Sequence, residues 1–126
     1  MAPSNRPSKH FGWHEFDIDH SRPLPAGRRA AYRRLCLDYL EPLRSRFGPV
    51  YITSSQRTPA YNRRVGGAPS SLHLTTSPLE VAAVDLWCRD GKPWDWYDFL
   101  DRLDVGGLGS YIDHVHCDTR HTRARW

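Results

Sequence analysis

Residues 111–120, YIDHVHCDTR, crowd four carboxylate and imidazole side chains into one short stretch: Asp113, His114, His116 and Asp118. His114, His116 and Asp118 recur with a period of two, so on a strand they share one face while Val115 and Cys117 share the other. The first face is polar and able to bind a ligand; the second belongs in a core. Two further residues sit in unexpected company. Asp85 interrupts the apolar run VAAVDLW, and His73 lies in the loop that leads to it. A buried carboxylate without a partner costs several kcal/mol, so Asp85 needs a cation, either an arginine or a metal. Two imidazoles and one carboxylate are what a catalytic zinc takes from a protein, with the fourth position left to water.

The elements that must position these groups can be read from periodicity and punctuation. Between Ala26 and Phe47 the apolar residues Tyr32, Leu35, Cys36, Tyr39, Leu40, Leu43 and Phe47 mark one helix face. Pro42 inside that run predicts a kink or a break, and Gly48-Pro49 ends it. PVYITS reads as a buried strand. In TPAYNRRVGG, Thr58 is an N-cap, Pro59 opens a short helix and Gly66-Gly67 stops it. VAAVDLW is a second strand, and KPWDWYDFLDRLDV a helix with Trp94, Tyr97, Leu100 and Leu103 on one face. GGLGSYIDHVHCDTR is a glycine-rich turn followed by one or two strands. This order predicts an α+β domain with a small, mainly antiparallel sheet and helices packed on one side. Residues 1–9, rich in Pro and Ser, form a loose N-terminal arm, and residues 10–126 a single domain.

Composition narrows the classes. A chain of 126 residues with five Trp buries a core without staples. Its three cysteines, Cys36, Cys88 and Cys117, are odd in number and widely spaced, which predicts buried thiols rather than a disulfide framework or a cysteine zinc knuckle. No apolar run is long enough for membrane insertion, and the N-terminus carries no apolar leader. Synthesis in the cytoplasm without a signal peptide is therefore expected, with action on the cell wall after release or carriage in a phage particle. The net charge of +4 suits nucleic acid, an anionic membrane or an anionic wall polymer. No stripe interleaves basic and aromatic residues, so a nucleic-acid partner is disfavoured.

Three segments taken together, ITSSQRTPAYNRRVGGAPSSLH, AAVDL and GGLGSYIDHVHCDTRHTRARW, resemble the zinc peptidases of the D-Ala-D-Ala carboxypeptidase group. That set also includes lysostaphin-type enzymes and the hedgehog fold, and the likeness extends to HFGWHEF near the start. The resemblance lies closest to the phage and murein endopeptidase branches. It implies a Zn2+ ion held by His73, Asp85 and His116, with Arg57 facing the substrate and Ser71 lining its site. It offers two candidates for the base: Asp113, three residues before the last ligand and favoured by the phage branch, or His114, two before it and favoured by strand geometry. The implied activity is hydrolysis of peptide bonds in peptidoglycan stem peptides, as an endopeptidase or a D,D-carboxypeptidase, in an endolysin or beside virion or tail proteins. One departure bears on this. Eleven residues, LTTSPLEVAAV, separate His73 from Asp85, more than the family pattern has, and they are expected to reshape one wall of the cleft. The alternative that follows is a non-catalytic structural or wall-binding module, such as one in a phage particle.

Overall fold

The computed structural model describes residues 5–126. The long amphipathic stretch forms one helical rod in three parts: α1 (Arg29–Leu35), a π-helical turn (Cys36–Leu40) and α2 (Glu41–Phe47). Pro42 lacks an N–H and crowds the turn before it. The sequence answers with the wider π turn over the preceding residues, so the rod is adjusted rather than broken. It stops at Gly48, whose φ of 75° lies in the left-handed region that favours glycine.

The remaining elements are β1 (Val50–Ser54), α3 (Pro59–Arg64), β2 (Ala83–Cys88), α4 (Pro93–Arg102), β3 (Gly107–Ser110), β4 (Val115–Asp118) and β5 (Ala124–Arg125). The strands make one mixed sheet in the order β1-β2-β4-β3-β5, antiparallel except where β3 meets β5. The α+β class and the mainly antiparallel sheet follow the sequence reading. The short parallel strand β5 is an addition to it.

One face of the sheet is the core face. Val50, Val84, Leu86, Cys88, Leu108, Val115 and Cys117 project from it and pack with Tyr32, Leu35, Leu40 and Leu43 of the rod and with Trp96 and Leu100 of α4. Each fully buried Leu or Val of this set contributes roughly 1.5–3 kcal/mol. On α4 the register differs from the sequence expectation: Trp94 is exposed and Trp96 is buried. The Trp96 indole N–H donates to the Asp90 carbonyl at 2.8 Å, which satisfies its polar end inside the fold. All three cysteines are free and buried, and burial pushes the Cys36 thiol up to about 12.

The opposite face of the sheet is open and carries Thr53, Asp85 and His116, with α3 at its rim. Of the expected N-terminal arm, residues 1–4 lie outside the described residues. Residues 6–9 are docked on the rod: Ser8 Oγ donates to Glu41 Oε2 at 2.6 Å, and the Arg33 guanidinium donates to the carbonyls of Arg6 and Pro7. No helix among the described residues is long and apolar enough to cross a membrane.

Candidate metal centre

Strand register brings the first two groups together. Asp85 on β2 and His116 on β4 are direct cross-strand partners, both on the open face. His73 arrives from the loop after α3. Its backbone is clamped by Arg57, whose N–H donates to the His73 carbonyl at 2.7 Å and whose carbonyl accepts from Thr75 N–H at 2.8 Å. Ser71 Oγ accepts from the His73 N–H at 3.1 Å and closes the turn.

The three side chains converge. His73 Nε2 lies 3.2 Å from Asp85 Oδ1 and 3.1 Å from His116 Nδ1, and His116 Nδ1 lies 3.1 Å from Asp85 Oδ1. The far side of each ring fixes which nitrogen carries a hydrogen. His73 Nδ1 sits 2.6 Å from the Ser55 carbonyl, an acceptor only, so Nδ1–H donates and Nε2 turns a lone pair inward. His116 Nε2 sits 2.7 Å from Asp118 Oδ2, so Nε2–H donates and Nδ1 turns its lone pair inward. With both rings neutral, two imidazole lone pairs and a carboxylate oxygen thus face one another with no proton between them. Three acceptors at such separations repel unless a cation lies among them. A tetrahedral zinc with ligand bonds of about 2.0–2.1 Å spaces its ligand atoms about 3.3 Å apart, close to what is seen. The residues therefore fit a zinc ion, and each imidazole has the outer hydrogen-bond acceptor that zinc-ligating histidines use.

Burial works to raise the Asp85 pKa, but imidazoles carrying protons inward hold it well below the usual carboxylate range, and a cation among the three groups acts on it in the same direction. Asp118, fully buried, is likewise pushed up by burial and brought well below that range by His116 and Arg120. Arg120 donates to both of its oxygens, at 2.8 and 2.7 Å. Asp118 thus stays anionic behind His116.

Asp85 answers the open choice between arginine and metal by facing both. Oδ1 turns to the imidazoles, while Oδ2 lies 3.6 Å from Arg57 Nη2, beyond hydrogen-bond length. Arg57 is held by its other nitrogens: Nε donates to Ser54 Oγ at 3.0 Å and Nη1 to Asn62 Oδ1 at 2.9 Å. Gly67 makes this possible, because a Cβ there would meet Asn62 Oδ1 at 2.0 Å and Arg57 Nη1 at 2.6 Å.

These groups line a cleft of about 770 Å³, together with Ser71 and His114. Asp113 is not in it. The β3–β4 turn leaves the Asp113 side chain 81% exposed, with Oδ1 2.6 Å from His114 Nδ1. Of the two candidates for the base, His114 therefore lines the cleft, and the Asp113 carboxylate reaches it through the His114 ring. The lengthened segment between His73 and Asp85 departs from expectation, since none of residues 74–84 lines the cleft. The loop instead wraps the buried Arg28, whose guanidinium donates to the carbonyls of Thr75 and Ser77 at 2.7 and 2.6 Å and of Pro78 at 3.0 Å.

Sequence reading missed Trp126 and Tyr111. The Trp126 ring packs on His116 at 5.1 Å, and its Nε1–H donates to the Tyr111 hydroxyl at 3.0 Å. Tyr111 stacks on His114 at 4.5 Å with 6° between planes. Trp126 fits over β3 because Gly109 has no side chain; a Cβ there would meet the indole at 2.5 Å. Gly109 in GGLGS was legible as part of a turn but not as room for a ring, and Trp126 was visible only as the end of the family-like segment.

A family model described as Peptidase M15 matches residues 9–118. No curated protein and no solved structure matches the chain.

Proposed function

The chain belongs to the peptidase M15 family, and on that premise we propose that it is a zinc-dependent peptidase cleaving peptide bonds of bacterial peptidoglycan. The observation that carries this reading is the convergence of three lone pairs, on His73 Nε2, Asp85 Oδ1 and His116 Nδ1, at the floor of an open cleft. Those residues would hold the ion. When bound, zinc supplies Lewis acidity, polarising the peptide carbonyl and lowering the pKa of water beside it.

The chain's own residues divide the remaining work. His114 keeps Nε2 free because Nδ1–H is committed to Asp113, so it can take a proton at the cleft and return one to the leaving amine. Asp113 holds the ring in that tautomer, and the Tyr111 ring fixes its plane. Arg57 presents Nη2 to the cleft, where it would stabilise negative charge on the carbonyl oxygen or bind a substrate carboxylate. Ser71 acts by holding the His73 turn. The substrate class rests on the family resemblance and on a cationic chain suited to an anionic wall polymer. Because the inserted loop folds away from the cleft around Arg28, it gives no ground for a non-catalytic module.

Mass spectrometry of material released from purified sacculi by the zinc-loaded protein tests activity and locates the bond together. Release should stop with chelator and in His116→Ala. In His114→Ala it should fall by about 10²–10⁴ with zinc content retained. Absence of any cleaved stem peptide from sacculi of several wall chemistries would overturn the reading.

A further inference from the structure

Beside the metal centre, the open face of the sheet carries a feature that the hydrolytic groups leave unused. Tyr51 on β1 and Trp87 on β2 are cross-strand partners, and their rings stack at 4.3 Å with 26° between planes. They remain 42% and 41% exposed. Trp87 shares its face with Asp85, because Leu86 and Cys88 project into the core. On β1, Thr53 shares the face of Tyr51 and lines the cleft, so the aromatic pair continues the cleft floor. Neither the Trp87 indole N–H nor the Tyr51 hydroxyl forms a hydrogen bond with another described residue.

A cross-strand aromatic pair stabilises a sheet by itself, but one this exposed at the edge of a cleft also offers ring surface to a ligand. Here ring surface is combined with two polar rim atoms that have no hydrogen-bond partner among the described residues. A ligand complementary to that combination has a flat C–H face and hydroxyls around its edge, which is the chemistry of a pyranose ring. An aliphatic peptide side chain would use the rings and leave both rim groups idle. We propose that Tyr51 and Trp87 form a sugar platform holding a glycan ring covalently attached to the peptide that is cut at the metal centre. This rests on the peptidase reading above and narrows it. Asp85 and Trp87 are separated along β2 by about 7 Å, the reach of about two extended residues. The bond cleaved then lies about two residues from the sugar, which selects an endopeptidase acting at the glycan end of the stem peptide over a carboxypeptidase acting at its far end.

Two measurements separate this proposal from the reading it rests on. In the first, kcat and KM are determined for a disaccharide-linked stem peptide and for the same peptide without sugar. The wild type should prefer the sugar-linked substrate, and Trp87→Ala should reduce the ratio of the two kcat/KM values roughly five- to tenfold through KM, with Trp87→Phe recovering part of it. Equal loss on both substrates, or no loss, overturns the platform while leaving the peptidase intact. In the second, a β-1,4-linked N-acetylglucosamine tetramer is titrated into wild-type and His116→Ala protein while the indole N–H resonances are followed. Movement of the Trp87 signal in both proteins supports the platform even should hydrolysis be absent. No movement, or a Trp87-dependent self-association of the free protein that the sugar does not affect, overturns it.

Discussion

At the scale of single residues, the candidate ligands were legible from two signals. Asp85 broke the apolar run VAAVDLW, which a fold tolerates only where the group has a partner, and His116 stood on the polar face of an alternating strand. The choice between Asp113 and His114 was not legible, because it depends on how a tight turn aims two adjacent side chains. Tyr111 N–H donates to the His114 carbonyl at 3.2 Å, so the turn closes over Ile112 and Asp113 and turns Asp113 outward. The outer partners of the ligands were only partly visible. Asp118 shared the period of His116 and could be read as an orienting acceptor, whereas the Ser55 carbonyl that fixes His73 carries no side-chain signature at all. Asp118 sets which nitrogen of His116 faces inward, so Asp118→Asn should weaken zinc binding about 10–100-fold. Competition with a chelating dye reads this directly; an unchanged affinity would mean that Asp118 serves packing alone.

At the scale of elements, caps and breaks were the reliable signals. Thr58 Oγ1 accepts from Tyr61 N–H at 3.2 Å as its N-cap position required, and Pro59 opens α3. Pro42 marked a disturbance of the rod, but whether that would be a kink, a break or a π turn depended on packing against the sheet. The inserted loop was misjudged for a similar reason. Its sequence shows polar residues and Pro78 but not the buried guanidinium that organises it, which comes from Arg28, far away along the chain. Arg28 gives the loop's inward carbonyls their donors, and removing it would leave them buried and unpaired. Arg28→Ala should therefore destabilise the fold by about 3 kcal/mol. Urea unfolding of the metal-free protein measures this, and a loss under 1 kcal/mol would show that the loop holds its shape without the clamp.

At the scale of the whole molecule, the arrangement is a sheet used differently on its two faces. The rod and α4 cover one face and supply the core, while the other stays open and carries the candidate ligands, the cleft and the Tyr51–Trp87 pair. Period-two alternation made this division readable in β4, whereas in β2 only Asp85, interrupting an apolar run, pointed to it. Strand order was not readable, since no local signal says that β4 inserts between β2 and β3, and it is this order that sets His116 opposite Asp85 on one side and Gly109 on the other. The C-terminal segment closes the site through β5 and Trp126, both beyond the part of the chain that matches the family. Everything proposed about chemistry depends on three inward lone pairs enclosing one ion. The most direct test is a crystal structure of the protein grown with zinc, with anomalous scattering recorded at the zinc edge. The account predicts a single strong peak per chain about 2.0–2.2 Å from His73 Nε2, Asp85 Oδ1 and His116 Nδ1. A map with no peak there, or with zinc bound through His116 Nε2 after loss of the Asp118 hydrogen bond, would contradict it.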